Sequence, residues 1–239
     1  MSARSYFVTG TDTGVGKTLV TAALMRRLRD AGVRVAGMKP VAAGATDGPE
    51  GRANADALLL QAEASARHPY ATVNPCLFEP AIAPHIAAAE AGVAIPLEAI
   101  AAAHERLRAS ADVVLAEGAG GFLVPLDATR SLAELPARLG MAVVLVVGLR
   151  LGCLNHALLT VEAVAARGLP LAGWVGNCID PAFSRRDANV ATLAARIAAP
   201  CLGIVPWMDS PDVATAAAAL TGSVALLRPP VASLTIPAP

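Results

Sequence analysis

Nine consecutive residues, Gly10-Thr11-Asp12-Thr13-Gly14-Val15-Gly16-Lys17-Thr18, combine three glycines, a lysine and a hydroxyl in an order suited to phosphate. Glycine lets a backbone fold tightly with its N–H groups pointing inward, and a helix start directly after it adds partial positive charge. In this reading Lys17 reaches the β and γ phosphates of a nucleotide and the Thr18 hydroxyl holds Mg²⁺. The spacing is a variant of the usual phosphate loop, because Thr11 occupies the first glycine position and the glycine falls one residue earlier. A Gly-rich turn that only caps a helix is the competing explanation.

A phosphate loop needs a further acidic group for the metal, normally at the end of a neighbouring apolar strand. Asp112-Val113-Val114-Leu115-Ala116-Glu117 supplies one, and Gly118-Ala119-Gly120-Gly121 follows at once, leaving room for a bulky phosphate–metal group. Glu117 could instead sit at the surface of a turn. Asp56 begins a helical stretch, where a carboxylate can also serve as a simple N-terminal helix stabiliser. Lys39, in Gly37-Met38-Lys39-Pro40-Val41, closes the second strand, and Pro40 stops that strand beside the expected site. A solvated lysine is the plain alternative; the functional one is neutralising charge on a transferring phosphoryl group or an anionic substrate.

The elements that must hold these groups alternate short β-branched runs with longer Ala/Leu-rich segments of helical period. Strands are predicted over 6–9, 33–38, 112–117, 142–147, 172–176 and 203–205. Helices are predicted over 16–31, 53–66, 96–110, 132–139, 155–166, 184–198 and 212–220. Val143-Val144-Leu145-Val146-Val147 is apolar at every position, as burial on both faces demands. The expected architecture is α/β, a P-loop NTPase-like three-layer fold whose central, mostly parallel sheet is flanked by helices. Residues 41–51, rich in glycine, read as an exposed loop; residues 1–228 read as one domain and the Pro-rich remainder as a flexible tail.

Bulk composition excludes several classes. Lys plus Arg and Asp plus Glu number 19 each, so no net field attracts nucleic acid. Apolar stretches are short and broken, below the roughly 18 residues a membrane span needs. The chain runs from Met1 almost directly into a strand, which leaves no signal peptide and predicts a cytoplasmic location. Cys76, Cys153, Cys178 and Cys201 form no C-x-x-C pair and read as buried thiols rather than a zinc site or disulfides. His68, His85, His104 and His156 read as structural.

Five ordered motifs together resemble the dethiobiotin synthetase family: Phe7-Val8-Thr9-Gly10-Thr11-Asp12-Thr13, Lys39-Pro40-Val41, Glu117-Gly118-Ala119-Gly120-Gly121, Leu151-Gly152-Cys153-Leu154-Asn155-His156 and Gly173-Trp174-Val175. They run from residue 6 to about residue 208. The resemblance implies ring closure of 7,8-diaminononanoate (7,8-diaminopelargonate) with CO₂ and ATP, through a carbamate that is phosphorylated and then attacked by the second amine. Carried over by position, it implies that Thr13, Gly14, Val15, Gly16, Lys17, Thr18 and Leu19 contact the nucleotide, with Gly118, Ala119 and Gly120 opposite. Thr18, Asp56 and Glu117 would bind Mg²⁺, and Lys39 and Lys17 would be catalytic. Asn177 and Cys178, with Pro206, Trp207 and Met208, would take the adenine end. Thr13 and Lys39 would meet the diamine, and Gly152, Cys153, Leu154 and Asn155 would bind its carboxylate across a homodimer interface, as free N–H groups at a helix start suit an anion.

Three positions depart from the family pattern: Gly14 where some members carry Glu, Ala43 where some carry a substrate-binding Ser, and Cys178 where Asp occurs. None removes a metal or phosphate group. Two other classes compete. Partition-type P-loop ATPase switches carry an early signature lysine where this chain has Asp12, and no basic stripe or amphipathic tail is evident. Amidoligase-like ATPases of the same fold usually carry a further domain for which the chain leaves no room.

Overall fold

A computed structural model describes residues 3–48, 51–222 and 227; the predicted Pro-rich tail after Arg228 lies outside them. The chain opens with β1 (Arg4–Gly10) and α1 (Lys17–Asp30), then β2 (Val35–Met38). A compact excursion follows: β3 (Val41–Ala43), β4 (Thr46–Gly48), β5 (Gly51–Ala53), α2 (Ala55–Glu63), α3 (Tyr70–Val73), β6 (Cys76–Phe78) and α4 (Pro84–Glu90). The alternation resumes with α5 (Leu97–Arg108), β7 (Val113–Gly121), α6 (Glu134–Arg138), β8 (Ala142–Leu149) and α7 (Cys153–Ala165). It ends with β9 (Leu171–Cys178), α8 (Arg186–Arg196), β10 (Cys201–Val205) and α9 (Val213–Ala219).

The predicted strands are those of the main sheet, which is six-stranded with order β10-β9-β8-β1-β7-β2 and parallel throughout. Burial on both faces explains their apolar sequences. Along β7, Val114 and Ala116 pack with Ile100 and Leu107 of α5, while Val113 and Leu115 pack with Leu24 and Leu28 of α1. Such alternation is what a period of two produces when helices cover both sides. In α1, Val20, Ala23, Leu24 and Leu28 recur at helical spacing and are fully buried. From β1 the chain goes to the edge strand β2 and returns to β7 on one side, then crosses β1 to β8, β9 and β10 on the other. The order therefore reverses at β1, the place where open parallel sheets bind ligands beyond their carboxyl ends.

Two expectations are corrected. Residues 41–51 are not one exposed loop: Val41 and Ala42 are buried, and β3 pairs in parallel with β6. The pairing partner lies some thirty-five residues downstream, so nothing local announces it; only β4 and β5, an antiparallel surface pair, fit the polar reading. The strand predicted to stop at Glu117 continues through the glycines to Gly121, placing Glu117 inside β7 opposite Val8 of β1.

Candidate active site

Beyond the carboxyl ends of β1, β7 and β2 lies a cavity of about 680 Å³, lined among others by Thr13, Gly14, Gly16, Lys17, Thr18, Lys39, Asp56, Glu117, Ala119 and Gly120. The loop from Gly10 is held against the sheet by backbone and side chain together. Thr11 N–H donates to the Val146 carbonyl (3.0 Å), and the Asn177 amide donates to the Val15 carbonyl (2.9 Å). Gly16 caps α1 with φ of 83°, and a Cβ there would stand 2.1 Å from Asn177 Nδ2. Glycine is therefore required twice over, by the left-handed backbone and by the neighbour beneath it. Lys17 folds back and donates from Nζ to the Asp12 carbonyl (2.9 Å), while the Asp12 carboxylate accepts from Thr13 N–H (2.7 Å) and meets Arg150 (2.6 Å).

Four polar groups converge on the other wall. Lys39 Nζ donates to Glu117 Oε1 (2.6 Å) and Asp56 Oδ2 (2.7 Å), and the Thr18 hydroxyl donates to the same Glu117 oxygen (2.8 Å). Glu117 is wholly buried and Lys39 is 4% exposed, which removes the surface-turn and solvated-lysine explanations. Asp56 sits in the first turn of α2, where a carboxylate suits the helix dipole, and the same side chain reaches Lys39. The two lysines titrate in opposite directions. Burial lowers Lys17 to about 8 against the pull of Glu117, Asp56 and Asp12. Burial works against the charge of Lys39 too, but the Glu117 and Asp56 carboxylates outweigh it and hold the ammonium above the ordinary lysine range. Burial likewise disfavours ionised Asp56, and Lys39 overrides it, leaving that carboxyl below its usual value.

The donor set suits a hard cation: two carboxylates and a hydroxyl, all oxygen, with Glu117 Oε2 buried and without a hydrogen-bond partner. Among the described residues no group of three or more His, Cys, Asp or Glu is placed to hold a metal alone. A site completed by phosphate oxygens is what these residues fit, since Mg²⁺ is usually bound through one or two carboxylates plus substrate phosphates.

Other predicted residues fall elsewhere. Val15 is a buried member of the loop, Leu19 in α1 is partly buried against the core, and Gly118 is pressed against the Phe7 ring; none of the three lines the cavity. Cys178 and Trp207 border a separate recess of about 590 Å³ with Arg185 and Arg186, whereas Pro206 and Met208 line neither space. Gly152, Cys153, Leu154 and Asn155 form the turn into α7, away from the cavity within one chain. His104 is buried with Nε2 on Ser5 Oγ (2.8 Å), and none of the four histidines lines the cavity. Cys76, Cys153 and Cys178 are buried and Cys201 partly so, all with free thiols.

Ala43, singled out in the sequence as a departure from the family pattern, does line the cavity, whereas sequence reasoning missed Asn54 and the wall that Ala42, Ile82 and Val124 form with it. Asn54 had a signal, an Asx residue just before an apolar helical run, and it does cap α2 by accepting from Ala57 N–H (3.3 Å). Ala42, Ile82 and Val124 had none, because they come from three separate stretches of the chain, two of them outside any helix or strand.

A family model described as an AAA domain matches residues 4–214. ATP-dependent dethiobiotin synthetase BioD of Pseudomonas paraeruginosa is 52% identical over 217 residues, covering 90% of this chain and 95% of that protein. Its counterpart in Ralstonia nicotianae is 54% identical over 211 residues, covering 88% and 92% respectively. The chain belongs to the dethiobiotin synthetase family. Among solved structures, the MinC:MinD cell division protein complex of Aquifex aeolicus aligns with a TM-score of 0.57 at 16% identity, over 91% of this chain and 86% of that one. At that identity the likeness carries the P-loop fold alone, and the dethiobiotin synthetase relatives carry the family. No helix among the described residues is long and apolar enough to cross a membrane.

Proposed function

We propose that residues 1–228 work as one unit that closes the ureido ring of dethiobiotin from 7,8-diaminononanoate, CO₂ and ATP, releasing ADP and phosphate. The observation that carries this reading is the buried meeting of Lys39, Thr18, Asp56 and Glu117 directly beside the phosphate loop. One substrate amine adds to CO₂ and loses a proton, giving a carbamate. A carbamate oxygen then attacks the γ phosphorus as the bond to ADP breaks, and the second amine attacks the carbonyl carbon, expelling phosphate. Charge builds on phosphoryl oxygens in such transfers, so the work of the protein is positioning and charge compensation.

Lys17 and the amides of Gly14 through Thr18 hold the β and γ phosphates. Lys39, kept charged by its carboxylate neighbours, faces the carbamate and the transferring group. Thr18, Asp56 and Glu117 would hold Mg²⁺, which supplies charge neutralisation on the phosphates when bound. The diamine sits by Thr13 and Lys39, its aliphatic chain along Ala42, Ala43, Ile82 and Val124. Its carboxylate meets the turn Gly152, Cys153, Leu154 and Asn155 of a second copy in a homodimer. Leu151, 89% exposed, and Leu159, 56% exposed, are apolar groups suited to such an interface. The adenine end lies toward Asn177, Cys178, Pro206, Trp207 and Met208, and the reaction belongs in the cytoplasm.

The test is ADP release with Mg²⁺, ATP, bicarbonate and the diamine, each omitted in turn. The reading expects release to require all four, and release indifferent to the diamine would defeat it.

A further inference from the structure

Lys39 stands outside the main ladder, between the end of β2 and Pro40, and its backbone is held by the segment around Val73 and Asn74. Its N–H donates to the Val73 carbonyl (2.8 Å), and its carbonyl accepts from the side-chain amide of Asn74 (2.7 Å). Asn74 is 3% exposed and its amide also donates to the Cys76 carbonyl (3.1 Å), so its orientation is fixed. The Asn74 side-chain oxygen accepts from the Tyr70 hydroxyl (2.9 Å), and that hydroxyl accepts from Asn54 N–H (2.7 Å). Asn54 in turn caps α2, the helix that presents Asp56, and its amide reaches the Ala43 and Gly44 carbonyls (3.3 and 3.4 Å). One unbroken chain of hydrogen bonds therefore joins the backbone of Lys39, through the Asn74 amide and the Tyr70 hydroxyl, to the first turn that carries Asp56. Side chain to side chain, Lys39 and Asp56 then meet at 2.7 Å.

We propose that Tyr70 and Asn74 are positioning residues that fix Lys39 and Asp56 relative to one another across the site. Neither lines the cavity, so neither touches a reactant there. Their effect is geometric: a buried ammonium that must meet developing charge loses effectiveness steeply with misplacement, about a hundredfold for an ångström. The inference rests on the functional reading above, and two measurements separate their failures.

The first uses Tyr70→Phe, which deletes one oxygen and keeps the ring. Turnover should fall about five- to twentyfold with the KM for ATP within about twofold, and the same change in a Lys39→Ala background should lower kcat by less than about twofold. A structural role alone would lower both backgrounds by the same factor. The second needs no turnover: binding of an ATP analogue with an imido bridge between its β and γ phosphates is titrated with Mg²⁺. Tyr70→Phe should raise the half-saturating Mg²⁺ about fivefold through Asp56, with metal-free analogue binding unchanged. A Mg²⁺ titration matching that of the parent protein, or equal kcat losses in the two backgrounds, would overturn the proposal. A parent protein that binds the analogue with Mg²⁺ but ignores the diamine would sink the functional reading while the titration still decides this one.

Discussion

The two walls of the cavity are built by different means. On the β1 side the proposed ligand contacts are mostly backbone amides, in a loop shaped by glycine geometry and buttressed by Asn177. On the β2 side they are side chains from three separate stretches of the chain, with the buried Lys39 and Glu117 paired to each other and the half-exposed Asp56 closing on the same ammonium. A backbone cradle is encoded in consecutive residues and tolerates little change of shape. A buried charge pair is encoded across 78 positions, from Lys39 to Glu117, and fails when Lys39 is lost, because the buried Glu117 carboxylate is left without a counter-charge.

The sharpest way to break this contrast is at the two lysines. Lys17→Ala should lower kcat/KM on the order of 10³-fold by removing a phosphate contact, with little change in the unfolding midpoint, since its ammonium donates to the Asp12 carbonyl and its loss strands no buried charge. Lys39→Ala should lower turnover about 10²-fold and also destabilise the fold by about 3 kcal/mol, because Glu117 is stranded in the interior. Denaturant titration beside steady-state kinetics checks both; equal stability losses would erase the distinction between the walls.

Titration sharpens it further. Lys17, lowered to about 8, is charged below that value and loses its charge above it. Phosphate binding favours the charged form, so ATP-analogue affinity measured by calorimetry should weaken up to about tenfold between about pH 7 and about pH 9. Lys17→Arg should abolish that dependence, while Lys39, raised rather than lowered, keeps its charge over the range. The smallest effect is expected at Arg150→Gln. Its ion pair with Asp12 is roughly 40% exposed on both sides, so nucleotide KM should move less than about threefold and stability less than about 1 kcal/mol.

The same contrast explains what could be read in advance. The main sheet, its covering helices and the phosphate loop were legible because their signals are local: apolar runs, helical periodicity and glycines next to Lys17. Glu117 was legible as a carboxylate at the end of an apolar run, although the strand passes four residues beyond it. The β3–β6 pair, α3 and the Asn74–Tyr70–Asn54 chain were not, because each depends on a contact between residues separated by a stretch with no repeating pattern. The turn at Gly152 was legible as a helix start, yet one chain alone does not bring it to the cavity.

The most direct test is a crystal structure of the protein with Mg²⁺ and the imido-bridged ATP analogue. The account predicts the triphosphate wrapped by the amides around Gly16, with the cation between Thr18, Asp56 and Glu117 and the Lys39 ammonium turned to the γ phosphate. A nucleotide seated away from that turn, or a cation that ignores Glu117, would contradict it.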